Sequence, residues 1–195
     1  GYYLADSGGK DSRCIRKLAD LAGVKYQAFY SCTTIDPPEV PKFLKEHFPN
    51  TIWHYPEKSF YQYIRDWFPP SRTRRWCWTY LKEIPSLGTG KCYRITGVRA
   101  EESPGRRRFP QIDWVPKINS FAFKVIYYWT EWHVWDFHEK YNLPYLPLYN
   151  EGWSRVGCMM CPLSSYENRM RDKERWPGPF KAFEHAVTIW WNTLR

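Results

Sequence analysis

Residues Tyr2 to Ser12, read as Tyr-Tyr-Leu-Ala-Asp-Ser-Gly-Gly-Lys-Asp-Ser, carry the clearest chemical signal in the chain. A short apolar run ends in a loop with glycines, a lysine and serines, and apolar residues at helical spacing follow at Cys14, Ile15, Leu18, Leu21 and Ala22. Glycine permits positive φ and lets an oxyanion come close to backbone N–H groups. The positive end of the following helix would lie against that anion. Ser7, Gly8, Gly9, Lys10, Asp11 and Ser12 are therefore expected to cradle phosphate at the C-terminal end of a first strand, where open α/β sheets bind ligands. The spacing excludes a Walker loop, in which the second glycine, lysine and hydroxyl residue follow a four-residue gap.

Two further groups could do chemistry. Cys158-Met159-Met160-Cys161 lies between Gly157 and Pro162, a spacing that suits two thiolates on one metal or cluster. On spacing alone it reads as zinc, as a redox dithiol or as an iron–sulfur site. The arginines fall into two sets, Arg72, Arg74 and Arg75 before Cys77, and Arg99 with Arg106, Arg107 and Arg108. Their planar fork matches phosphate or sulfate oxygens in pairs. Arg99 should end a strand and point into the cleft, whereas Arg106 to Arg108 read equally well as a solvated patch. Glu101 and Glu102 are expected either to pair with these arginines or to help hold Mg2+. The histidines show no catalytic grouping and there is no Ser/His/Asp order.

The elements that would position these groups alternate as in a doubly wound fold. Strands are expected at the N-terminus, over Lys25 to Cys32, Thr51 to Tyr55, Cys92 to Val98 and Phe121 to Tyr128. Helices are expected over Arg13 to Ala22, Pro37 to Phe48 with Asp36 as N-cap, Ser59 to Trp67, Trp76 to Ile84, and from Thr130 to Tyr141. Pro85 to Lys91 reads as a turn and Gly105 to Pro116 as a mobile loop. The segment after Asn142 reads as loop-rich, ending in a helical tail from Pro179 to Leu194. The expected class is α/β, a doubly wound, mostly parallel sheet with helices on both faces. A single domain over 1–195 is expected, with a nucleotide-binding core at 1–142 and the cysteine loop and tail at 143–195.

A chain of 195 residues can bury such a core without disulfides or metal. The formal charge of +9 and pI of about 9.2 suit an anionic partner. The 12 Trp and 15 Tyr read mainly as core and pocket wall, and only weakly as a base-stacking surface for nucleic acid. No long apolar span and no signal peptide is evident, so a cytoplasmic protein with no membrane crossing is expected. Six cysteines do not read as a secreted disulfide scaffold. Strand one starts at the first residues without an initiator Met, so a short natural N-terminal segment is expected to precede them.

The loop Ser7 to Ser12 resembles the pyrophosphate loop of the ATP-pyrophosphatase and phosphoadenosine phosphosulfate reductase superfamily. Further segments resemble that family in the same order: Thr33 to Glu39, Arg75-Trp76-Cys77 with Leu81-Lys82, Thr96 to Ser103, Trp132-His133-Val134-Trp135, Leu148 to Gly152, and Arg155 to Pro162. The resemblance implies a nucleotide site that includes Thr34, Asp36, Gly97, Arg99 and Glu102 with the loop, and catalytic roles for Lys10, Asp11 and Arg99. It also implies a [4Fe–4S] cluster on Cys77, Cys158 and Cys161. Cys77 is followed by Trp78 where many relatives carry a second cysteine, so three thiols remain, as in iron–sulfur tRNA thiolation enzymes. Tetrahedral zinc with His133 or His138 as a further ligand is the alternative. Cys92 is expected to lie away from this set, and Cys14 and Cys32 to serve packing.

Two branches of the family set the expected reaction. One holds ATP, releases pyrophosphate on adenylating an acceptor and then transfers sulfur, with Mg2+. The other reduces phosphoadenosine phosphosulfate to sulfite with a thiolate on a C-terminal tail; no cysteine follows Cys161 here. ATP-dependent transfer is the first expectation, reduction the second, and a non-catalytic nucleotide-binding accessory protein of a phage or defence system the third. The partners implied are an adenine nucleotide, a sulfur or electron donor protein, a nucleic-acid substrate and a second copy of the chain.

Overall fold

The computed structural model describes residues 1–87, 89–90 and 92–195. Gly88 and Lys91, in the turn expected over 85–91, lie outside the described residues. Among the described residues, six strands form one sheet in the order β3-β2-β1-β4-β6-β5. They are β1 (Tyr2–Ala5), β2 (Tyr26–Ser31), β3 (Ile52–His54), β4 (Tyr93–Thr96), β5 (Ile112–Val115) and β6 (Ser120–Lys124). β1 runs parallel to β2 and β4, and β4 runs parallel to β6, while β5 is antiparallel to β6. From β1 the chain winds outward to β2 and β3, then returns to the other side of β1 with β4. The strand order thus reverses between β1 and β4, and the crevice at the carboxyl ends of such strands is where a ligand enters.

The helices are α1 (Lys10–Leu21), α2 (Glu39–His47), α3 (Phe60–Asp66), α4 (Trp76–Trp78), α5 (Glu131–Lys140), α6 (Tyr166–Arg175) and α7 (Pro177–Asn192). The chain divides into two compact units, one of residues 1–30, 39–53 and 87–156, the other of 31–38, 54–86 and 157–195. In the first unit the buried core is Leu4, Cys14, Ile15, Ala19, Ala28, Ile95, Ile126 and Val134. The paired residues Leu4, Ala28 and Ile95 lie side by side across β2, β1 and β4 and meet the apolar stripe of α1. Truncating one of the large members to Ala should cost about 2–5 kcal/mol. In the second unit α3 and α7 pack together, with Phe60 and Phe183 rings 6.2 Å apart. Ser59 caps α3 reciprocally with Gln62, which fixes where that helix starts.

Several boundaries differ from the sequence reading. α1 begins at Lys10 rather than Arg13, because Gly9 is extended (φ −78°, ψ 168°) and serves as N-cap, so the last loop residues form the first helical turn. Asp36 does not cap α2, which begins at Glu39; its carboxylate accepts the Thr33 N–H at 3.0 Å instead. The helix expected over Trp76 to Ile84 is α4 followed by a π-helical turn (Thr79–Glu83) and a 3-10 turn (Ile84–Ser86). The stretch Gly105 to Pro116, expected as a mobile loop, contains a 3-10 turn (Arg106–Arg108) and β5, whose Ile-Asp-Trp-Val pairs along β6. The loop-rich segment contains α6, capped by Ser165 on the Asn168 N–H.

Candidate functional site

The Ser7–Ser12 loop follows β1 and folds onto its own side chains. Gly8 has φ +75°, and a Cβ there would lie 2.9 Å from Val40 Cγ1, so glycine is required on both counts. The Gly8 N–H donates to Asp6 Oδ1 at 2.9 Å. Asp6, buried under the loop, also pairs with Arg13 and, at 3.2 Å, with Arg16, while the Arg13 guanidinium stacks 3.9 Å from the Phe48 ring centroid. Sequence reasoning did not single out Asp6. Its signal was an acidic residue directly before Ser-Gly-Gly with arginines seven and ten positions on. The Ser7 N–H donates to Ser12 Oγ at 3.0 Å, and the two hydroxyls are 2.8 Å apart.

The charged groups expected at the loop are brought together within the first unit. Lys10 is buried; its Nζ donates to the Ser154 carbonyl at 2.6 Å and pairs with Glu131 Oε1 at 3.1 Å. Arg99, also buried, meets Asp11 at 2.7 Å, Glu101 at 2.8 Å and Glu131 at 2.8 Å. Burial works against its charged form, but Asp11 and Glu131 outweigh that and hold the guanidinium above its ordinary pKa. Gly97 packs against the first turn of α1, where a Cβ would lie 3.1 Å from Asp11 Cβ. Glu102 accepts the Arg99 N–H at 3.0 Å and pairs with Arg106, so it closes its own turn. Glu101, Asp11 and Glu131 surround Arg99, and among the described residues no group of three His, Cys, Asp or Glu side chains could hold a metal ion.

Two residues not assigned to the loop from sequence adjoin it: Tyr149, and His138, which was expected only as an alternative zinc ligand and lies in the loop's unit while the three thiols lie in the other. The Tyr149 hydroxyl accepts the Lys10 N–H at 3.1 Å, and burial pushes its pKa up to about 12, so it stays a neutral hydroxyl. His138 Nε2 lies 2.9 Å from the Lys10 carbonyl; burial holds this imidazole below its ordinary pKa, against the carbonyl contact. A cleft of about 450 Å³ beside them is lined by Glu131, Trp135, Tyr149, Asn150 and Trp153 among others. His133 is occupied in the Thr130 cap of α5.

The second unit holds the other predicted residues. Thr34 (φ +63°) accepts the Phe60 N–H at 2.9 Å, and the Met159 N–H donates to the Ile35 carbonyl at 2.9 Å, which ties the cysteine loop to the Thr33–Asp36 turn. Burial raises the Cys158 thiol pKa, opposed by Lys82 and a Thr33 hydrogen bond. The Cys158 charge in turn raises Lys82. Burial and then Cys161 raise Cys77. The three thiols thus stand in one unit and feel one another in pairs. They match an iron–sulfur or zinc site in donor chemistry, yet among the described residues no three are assembled as a ligand shell. Arg72 Nε donates to the Pro162 carbonyl at 3.1 Å, and Arg74 and Arg75 lie over the Phe68 and Trp78 rings. Cys14 is buried in the core of the first unit and Cys92 is exposed there.

Fold and loop together define a doubly wound α/β protein whose Ser7–Ser12 loop stands at its topological switch point. The family model described as phosphoadenosine phosphosulfate reductase domain matches residues 2–164, and the chain belongs to that family. An uncharacterized protein of Methanocaldococcus jannaschii is 26% identical over 202 aligned positions, 94% of this chain and 41% of that protein. The adenosine 5'-phosphosulfate reductase of Anoxybacillus flavithermus is 32% identical over 104 residues, 52% of this chain and 44% of the enzyme. The chain therefore spans less than half the length of these curated relatives. The crystal structure of phosphoadenylyl-sulfate reductase from Candida auris, a phosphate complex, shares the fold with TM-score 0.62, 14% identity and 80% coverage of each chain. No helix among the described residues is long and apolar enough to cross a membrane.

Proposed function

We propose that this chain is an enzyme of sulfur metabolism that binds an adenine nucleotide by its phosphate anhydride at Ser7 to Ser12. The observation that carries the reading is the convergence of the loop, Lys10 and Arg99 at the carboxyl end of β1. In the first form the nucleotide is ATP. An acceptor oxygen attacks the α-phosphorus, the bond to the bridging oxygen breaks, and pyrophosphate leaves against the loop amides and the Lys10 ammonium, which stabilise the developing charge. A sulfur donor then displaces AMP from the acceptor. The three-thiol set, with Trp78 where a second cysteine would stand, favours this form.

The second form is reduction of a phosphosulfate, in which a thiolate attacks the sulfate sulfur and the nucleotide leaves. The relative named adenosine 5'-phosphosulfate reductase favours it. Cys77, Cys158 and Cys161 are proposed to take up iron–sulfur or zinc only through a rearrangement that draws the thiols together, and iron and zinc content after anaerobic purification tests this. The deciding assay supplies ATP, adenosine 5'-phosphosulfate and phosphoadenosine phosphosulfate separately and follows products. AMP and pyrophosphate from ATP, stimulated by an acceptor, are expected. Sulfite released from a phosphosulfate without ATP would select the second form.

A further inference from the structure

The N–H groups from Ser7 to Lys10 all have oxygen partners inside the protein: Ser12 Oγ, Asp6 Oδ1, Ser7 Oγ at 3.4 Å and Tyr149 Oη. Asp6, Ser7 and Ser12 belong to the loop or its immediate flanks. Tyr149 reaches it from 139 residues along the chain. The same holds for the side-chain cations. Glu131 presents Oε1 to Lys10 Nζ and Oε2 to Arg99 Nη2, so one carboxylate bridges both positive groups of the site. Trp135 Nε1 donates to Glu131 Oε1 at 3.1 Å, and Lys10 Nζ lies 5.0 Å from the Tyr149 ring centroid. An incoming phosphate needs these donors: a loop amide and two cations.

We infer that Tyr149 Oη and the Glu131 carboxylate are resident stand-ins for two oxygens of the anionic ligand, and that binding proceeds by their displacement. The inference rests on the reading of Ser7 to Ser12 as the anion site. It assigns Tyr149 and Glu131 a specificity role. A ligand must offer at least two oxygens, spaced to replace a hydroxyl at the Lys10 N–H and a carboxylate between Lys10 and Arg99. A diphosphate offers oxygens on two phosphorus centres for these two places, and a lone sulfate only those of one tetrahedron. Glu131 is suited to leave, since its side chain is 44% exposed while Lys10 and Arg99 are 3% and 4% exposed. The cations stay and the carboxylate swings to water.

The test is calorimetric titration of inorganic pyrophosphate and of sulfate into the intact protein and into Tyr149→Phe, Glu131→Gln and Gly9→Val. Removing a resident competitor should tighten pyrophosphate binding roughly three- to ten-fold in each of the first two variants, the worth of about one hydrogen bond. Sulfate should remain weaker than pyrophosphate. Unchanged or weaker pyrophosphate binding in either variant, with Gly9→Val still abolishing it, overturns the inference and leaves the anion site standing. Pyrophosphate affinity that Gly9→Val does not alter overturns the site itself and the inference with it. Melting temperatures read in parallel ensure that each variant is folded.

Discussion

Gly8 and Asp6 show how single residues shape the loop. At Gly8 a φ of +75° coincides with a Cβ position 2.9 Å from Val40, so the penalty has a conformational and a steric part. Gly8→Ala is expected to lower stability by about 1–3 kcal/mol, read from the urea midpoint. An unchanged midpoint would contradict the role given to that φ. Asp6 holds the Gly8 N–H and faces Arg13, whose side chain is 1% exposed. Asp6→Ala leaves that guanidinium buried without its carboxylate and should cost about 3–5 kcal/mol. The loop's place between a strand and a helix was readable from residue types, because glycines followed by lysine and hydroxyls interrupt one pattern and open the next. The contacts of Asp6 and Tyr149 were not, since nothing in the sequence says that a carboxylate lies beneath the loop or that a hydroxyl 139 residues away reaches it.

α5 delivers Glu131, Trp135 and His138 toward the loop, at helical positions i, i+4 and i+7 that share one face. Its start was visible in Thr130, whose hydroxyl accepts the His133 N–H at 3.3 Å. β5 and α6 were not visible. β5 is four residues long, lies between prolines and is defined by its pairing with β6 rather than by its own pattern. α6 is a strongly charged helix with no buried residue, so it lacks the apolar periodicity on which sequence reading depends. The His138 contact also makes a pH prediction. Burial depresses the folded pKa of this imidazole, so the unfolded chain binds the proton more readily. Its contribution is fully present above the ordinary imidazole pKa and is lost as pH falls through that value toward the depressed folded one. Stability measured from pH 8 down to pH 5 should fall in the intact protein and fall less steeply in His138→Gln. Parallel curves would show that His138 is not the group responsible.

Across the whole molecule, the Ser7–Ser12 loop lies in one compact unit and the three thiols lie in the other. On the proposed division of roles between loop and thiols, Cys158→Ser is expected to keep ATP affinity while losing sulfur chemistry, measured by titration and by product assay. Loss of ATP affinity in a folded Cys158→Ser protein would show that the thiol serves the nucleotide. The alternation of strands and helices, the family and the switch-point loop were all readable from sequence, because the loop fixes where β1 ends and α1 begins. The division into interleaved units was not, since it depends on contacts between segments far apart in the chain. The most direct test of the central claim is calorimetric titration of ATP into the intact protein and into Gly9→Val. A Cβ at residue 9 would stand 3.3 Å from Tyr149 Oη and 3.4 Å from Ser7 Oγ, and the larger valine side chain would obstruct the cradle. Saturable ATP binding to the intact protein, lost in a Gly9→Val protein of unchanged melting temperature, is predicted; equal affinity in the two would contradict the account.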